Sequence, residues 1–169
     1  AVGDAAGGAV TTGIDNTLIG ATAGDALTDA DYNVALGMQA LGADTLGSRS
    51  TAIGRRALIS QNFTTATDTN NTAVGFNSGY AVTTGVNNTL VGALAGDALT
   101  TGSANVCFGL SAGGSNTTSS YNTSIGTYAG GAILTSGENT SLGYNAGGSS
   151  ASGDSNVFIG YNTGVHSTS

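Results

Sequence analysis

The chain has no proline, no tryptophan and no lysine, a single histidine, a single cysteine, and only 8% charged residues. Each shortage removes a class of protein. A formal charge of −7 carried without lysine argues against nucleic acid or an anionic membrane as a general partner. One cysteine, Cys107, excludes an intrachain disulfide framework and a cysteine zinc site. No apolar run approaches the length of a bilayer-crossing helix, so membrane insertion is not expected, and the opening AVGDAAGG lacks the basic and apolar regions of a signal peptide. The one histidine, His166, sits near the C-terminus with no nucleophile and carboxylate spaced around it, so catalysis is not expected. Glycine-rich phrases such as GDAAGG lack the lysine and following helix of a phosphate loop, and no cofactor is implied.

What the chain has is glycine, 29 of 169 residues, together with Ser, Thr, Asn and β-branched residues. Glycine is costly to order, so something regular must compensate. The regularity is a repeat. The pattern Asn-Thr-x-aliphatic-Gly, or a close relative, begins at Asn16, Asn33, Ser50, Asn71, Asn88, Asn105, Asn122, Asn139 and Asn156, at intervals of 17 with one of 21. Val2 and Gly3 lie 17 residues before Ile19 and Gly20, so the opening reads as a tenth, partial unit. The chain reads as one repeat domain over 1–169, a fragment of a longer fibre.

Stacking the units gives columns. The first is Asn in eight of nine units and the fifth is Gly in all nine, the residue types that tolerate positive φ, so both read as corners around a short strand. Stacked Asn side chains also suit an amide ladder. The second column (Thr17, Val34, Thr51, Thr72, Thr89, Val106, Thr123, Thr140, Val157) and the fourth (Ile19, Leu36, Ile53, Val74, Val91, Phe108, Ile125, Leu142, Ile159) share one strand face and are mostly β-branched, which places them in the coil interior. An Ala column from Ala23 to Ala146 and a looser aliphatic column at Val10, Leu27, Val82, Leu99 and Ile133 would close it.

No segment sustains a 3.6-residue period, and glycine interrupts every helical window. The expected fold is therefore all-β, a parallel β-solenoid (β-roll or β-helix) of about ten coils, each 17 residues long. Strands stacked about 4.8 Å apart make a rod of about 45–50 Å. The third column (Leu18, Ala35, Ala52, Ala73, Leu90, Cys107, Ser124, Ser141, Phe158) then points outward, carries no charge, and suggests burial against further copies of the chain. A monomeric solenoid with an apolar stripe is the alternative.

The units NTAVG, NTLVG and NTSIG resemble the strand motif of the head domains of trimeric autotransporter adhesins, which are left-handed parallel β-rolls. The longer phrase NTAVGFNSGYAVTTGVNNTLVGALAG resembles repeats of bacteriophage tail-fibre-like structural proteins, over essentially the whole chain. The period is longer than in the autotransporter heads, and Thr stands where they favour Val. The resemblance implies a left-handed homotrimer in an extracellular virion fibre or on a cell surface.

Recognition residues are sought where the columns break. The unit at 50–70 has 21 residues, and a bulged loop with Asn62, Phe63, Thr64 and Thr65 lies near Arg49, Arg55 and Arg56, all the basic residues of the chain. Guanidinium forks beside a bulge suit an acidic glycan, whereas pairing with Asp44 and Asp68 would make them ordinary surface ion pairs. Phe76, Leu110, Tyr128, Tyr144 and Tyr161, just after the Gly corner, suit the apolar faces of sugars or simply cover that corner. Asp15, Asp29 and Asp31 crowd one end without forming an Asp column, and no metal site is expected. The expected function is a rigid, non-enzymatic fibre segment, shaft or head, presenting weak contacts many times to a host surface, receptor or glycan. A monomeric ice-binding solenoid is the competing class, disfavoured because the main Thr column shares its face with Ile and Leu where two outward Thr columns are wanted, and because the TTG threonines occur in too few units to make a plane.

Overall fold

A computed structural model describes residues 1–132, 137–149 and 153–164. It is an all-β parallel solenoid of about eight turns, each of roughly 17 residues, with no helix among the described residues. The strands are β1 Thr17–Ile19, β2 Val34–Leu36, β3 Gly47–Ser48, β4 Thr51–Ile53, β5 Thr67–Asp68, β6 Thr72–Val74, β7 Thr89–Val91, β8 Val106–Phe108, β9 Thr123–Ile125, β10 Thr140–Leu142 and β11 Val157–Ile159. Nine of them form one parallel sheet in the order β1-β2-β4-β6-β7-β8-β9-β10-β11, while β3 and β5 pair separately. Strand register follows the repeat, Thr89 opposite Val106 and Thr123 opposite Thr140, and absorbs the 21-residue interval by pairing Thr51 with Thr72.

The strands are three residues long because the fifth-column glycine ends each one. Gly92 has φ 136°, and a Cβ there would lie 2.3 Å from the carbonyl oxygen of Gly109 in the next coil. Both the backbone angle and the close stacking therefore require glycine. The other corners are left-handed and fall on many residue types: Asn77, Leu94 and Ser111 in the seventh column, and Tyr32, Arg49 and Tyr121 immediately before the Asn column.

The Asn column is not itself a corner, which corrects the sequence reading. Asn33, Asn71, Asn88, Asn105 and Asn122 keep negative φ and point inward, fully buried or nearly so. Each Oδ1 accepts the backbone N–H of the residue one coil on, as Asn71 does from Asn88 (2.9 Å) and Asn88 from Asn105 (3.0 Å). Nδ2 meanwhile donates to a carbonyl 14 residues ahead, Asn71 to Gly85 (2.7 Å) and Asn88 to Gly102 (3.0 Å). Asn is selected here as a side chain long enough to satisfy buried backbone groups on two sides.

The strand faces are also reversed from the sequence expectation. The third column lines the interior, with Ala35, Ala52, Ala73 and Leu90 at 0% exposure, and the second and fourth columns face out, with Ile19 at 40%, Phe108 at 55% and Ile159 at 63%. The reason is steric. The sheet lies so close to the opposite Ala and Gly columns that a Cβ added at Gly96 would come within 2.8 Å of Leu90 Cδ2. An unbroken column of Ile and Phe has no room there: the column is mostly Ala, Ser and Cys, and its large members, Leu18, Leu90 and Phe158, each lie against a glycine, Gly24, Gly96 and Gly164. The core is a narrow stack of Leu18, Ala23, Leu27, Ala52, Leu58, Val82, Leu90 and Leu99 along the rod.

Candidate functional site

Turning the second and fourth columns outward makes the nine-stranded sheet the most distinctive surface of the rod. Two parallel ladders run along it, one of Thr and Val, the other of Ile, Leu, Val and Phe, and neither contains a charge. Leu36, Phe108, Ile125, Leu142 and Ile159 are all exposed. By contrast, the first Thr of each TTG phrase is not available to solvent partners: Thr11, Thr83 and Thr100 donate to carbonyls of the next coil at 2.9–3.2 Å.

The irregular unit is held by a buried polar network that sequence reasoning missed. Ser50 replaces Asn in the ladder and is too short to continue it. Gln61, standing in the looser aliphatic column, bridges the break: its Nε2 donates to Ser50 Oγ (2.8 Å) and its Oε1 accepts from Asn71 Nδ2 (2.9 Å). Gln61 Nε2 also donates to Asp44 Oδ2 (2.5 Å), and Asp44 Oδ1 accepts the backbone N–H groups of Gly47 (3.1 Å) and Phe63 (2.9 Å). Asp44 is thus fully buried and is not a surface partner of the arginines, contrary to expectation. The available signal was Ser50 in the Asn column together with Asp44 and Gln61 in successive units of the looser aliphatic column, which turns polar again at Asn116 and Ser150.

The structure puts each arginine to use locally. Arg49 Nε contacts Asp68 Oδ1 at 2.9 Å and its guanidinium lies 5.1 Å from the Tyr32 ring centre. Arg55 sits 5.7 Å from the Phe76 ring centre, and Arg56 Nε donates to Gln39 Oε1 at 2.9 Å. Of the bulge residues, Phe63 turns inward at 7% exposure, while Asn62, Thr64 and Thr65 remain outside. The three cations therefore do not converge on one open fork.

The corner aromatics line up along the rod, and Tyr128, Tyr144 and Tyr161 are all exposed. Tyr144 and Tyr161 stack with centroids 5.2 Å apart and planes 13° from parallel, while Tyr128 meets Tyr144 edge to face at 6.0 Å. Stacked rings turn faces toward each other, and Phe76 has one face under Arg55, so this column offers edges more than open platforms.

A second aromatic position was not anticipated. Tyr121 stands on the left-handed corner before Asn122, with φ 62°, and is 67% exposed. Beside it is a groove of about 320 Å³ walled by Thr118, Ser120, Tyr121, Glu138 and Asp154 with Gly137 among them. Ser155 donates to Glu138 Oε2 (2.9 Å), and Asp154 Oδ1 accepts the N–H of Gly137 (2.8 Å).

Other candidates resolve differently. Cys107 lies in the inward column at 2% exposure, and burial pushes its thiol pKa up to about 12, so it is a packing residue without thiolate character. Asp29 accepts from Thr12 and Asp31 from the N–H of Ile14, and no cluster of three His, Cys, Asp or Glu able to hold a metal occurs among the described residues. No helix of the described residues is long and apolar enough to cross a membrane. His166 lies outside the described residues, as does Ile133. Comparison with protein-family models, curated proteins and solved structures gives no match to this chain.

Proposed function

We propose that the chain is a non-enzymatic, rod-like segment of an extracellular fibre, on a virion tail or a cell surface, that assembles as a homotrimer through its outward sheet face and presents repeated weak contacts to a host glycan or receptor. The observation that carries this reading is the uncharged fourth column, aliphatic or aromatic on all nine strands yet facing out. Nine strands about 4.8 Å apart and three residues wide give a face of about 400 Å² per chain. A face-to-face pair would bury roughly 800 Å² in total, and three copies around an axis parallel to the rods would bury about 1,200 Å² spread over three seams, so either assembly sits at or below the lower bound of specific interfaces on this face alone. The choice of three copies rests on the resemblance of the repeat units to trimeric fibres.

Light scattering at micromolar concentration tests this directly. The expected mass is three chains, falling to one when Phe108→Glu and Ile125→Glu are combined, with the β-sheet spectrum retained. A wild-type monomer would overturn the assembly.

One observation favours a second reading. The Thr column faces outward, although beside a ladder of Ile, Leu, Val and Phe and not a second Thr ladder: Thr17, Thr51, Thr72, Thr89, Thr123 and Thr140 repeat along a regular sheet. A monomer that arrests ice growth in a thermal-hysteresis measurement would select this reading over the fibre.

A further inference from the structure

We propose that the groove beside Tyr121 is a carbohydrate subsite that accepts a pyranose bearing no negative charge. The proposal rests on the fibre reading in supposing a glycan-bearing surface as the target, and it moves recognition away from the arginine-rich coils where the sequence suggested it.

The geometry begins with a missing side chain. Ser120, Gly137 and Asp154 succeed one another at 17-residue spacing, and Gly137 leaves the middle of that column empty. The resulting groove, about 320 Å³, is at the small end of ligand pockets and matches one sugar ring. Tyr121, Glu138 and Ser155 form the adjacent column, all on left-handed corners (φ 60–62°) that carry their side chains outward. Tyr121 is 67% exposed with no ring packed on it among the described residues, whereas Tyr128 and Tyr144 pack against neighbouring rings and Tyr161, more exposed at 74%, gives one face to Tyr144. Both faces of the Tyr121 ring are therefore free of aromatic partners, and it offers an apolar platform beside the groove.

The polar wall selects the ligand. The carboxylates of Glu138 and Asp154 accept hydrogen bonds and suit sugar hydroxyls or a protonated amine, while Ser120 and Thr118 add hydroxyls. The three arginines lie at 49–56, three to four coils away from Tyr121, about 15–19 Å along the rod. That exceeds the roughly 8 Å screening length in physiological salt, so no cation offsets the two carboxylates for an anionic sugar. Sialylated or uronic-acid ligands are excluded on this ground, and neutral sugars and amino sugars share the remaining chemistry.

Amide chemical shifts of the intact chain, titrated with an N-acetylglucosamine oligosaccharide, a glucosamine oligosaccharide and sialyllactose, test the assignment. Millimolar amounts of the first two are expected to move the amides of Tyr121, Gly137 and Glu138, and sialyllactose is not. Tyr121→Ala should weaken binding about fivefold or more. Glu138→Gln, nearly isosteric, should weaken the amino sugar more than the neutral one. The proposal fails if neither uncharged nor amino sugar moves these amides, if sialyllactose binds equally, or if Tyr121→Ala leaves affinity unchanged. Shifts confined to other coils in a trimeric chain would retire the groove and leave the fibre reading standing. Groove shifts in a chain that light scattering finds monomeric would do the reverse.

Discussion

The interior is narrow enough that its two faces must trade volume, and the trade can be measured at Leu90 and Gly96. Where the third column carries Leu, as at Leu18 and Leu90, the ninth carries Gly, at Gly24 and Gly96; Ala35 and Ala52 in the third column stand with Leu41 and Leu58 in the ninth, while Ala73 stands with Gly79, where a Cβ would meet Leu58 and Leu90 of the neighbouring coils at 2.9 and 2.8 Å. Leu41 and Leu58 adopt the same left-handed corner as the glycines (φ 53° and 50°) and make the same backbone bond to the next coil, Leu41 to Ala57 as Gly24 to Ala40. Leu90→Ala alone removes a fully buried side chain and should cost about 3 kcal/mol. Gly96→Leu alone starts from a Cβ 2.8 Å from Leu90 Cδ2, where about 3.5–4.0 Å is needed, and adds a left-handed penalty; together these come to about 3 kcal/mol. The double variant rebuilds the arrangement of Ala35 with Leu41 and retains only the left-handed penalty, about 1–2 kcal/mol. Urea unfolding at fixed protein concentration should then show the double variant more stable than the sum of the single losses by at least about 2 kcal/mol. Additivity within about 0.5 kcal/mol would refute the volume trade.

Two further outcomes follow from the same interior. Gln61→Leu installs the residue that Leu27 and Leu99 carry in this column, yet it should destabilise by about 2–4 kcal/mol, because Ser50, Asn71 and Asp44 lose buried partners; a loss below about 0.5 kcal/mol in thermal melting would discard the bridging role. The Cys107 thiol, held protonated up to about 12 in the fold and released near 8.5 when unfolded, binds more proton folded than unfolded between those values. Stability should therefore be unaffected by this group below pH 8.5 and fall with rising pH by about 1.4 kcal/mol per unit above it, a slope that Cys107→Ala should reduce in urea titrations.

The period, the absence of helix, the glycine corners and the amide ladder were all legible in the sequence, because each is written once per coil at fixed spacing. The direction of the strand faces was not. Alternation shows that the third column opposes the second and fourth but does not say which side is inside, and the preference for β-branched residues in the core pointed the wrong way. The deciding signal was the inverse pairing of Ala35 with Leu41 and Leu90 with Gly96, a relation between columns rather than within one. Asp44 and Asp68 illustrate the limit for charges: both lie near the arginines in sequence, but the coil turns one inward to hold the N–H groups of Gly47 and Phe63 and leaves the other outside to meet Arg49. The Tyr121 groove needed residues from consecutive coils and an empty Gly137 column position, which no single unit displays.

Once the interior is assigned, the fourth column has no internal reason to be apolar. Strand propensity accounts for Ile, Val and Phe there but gives no special place to Leu36 and Leu142. The sixth column, exposed in part around the next corner, mixes Ala21, Arg55, Phe76, Thr127 and Tyr144, as a surface free of a common partner does. A uniform column is what the proposed assembly would require of the face it covers. Covering nine half-exposed side chains is worth about 1 kcal/mol each, roughly 9 kcal/mol per chain, against about 4–15 kcal/mol for the freedom lost on association. With the two so nearly balanced, the strength of the proposed assembly would depend on how many coils are aligned, and each added 17-residue unit would strengthen it sideways as well as lengthen the rod.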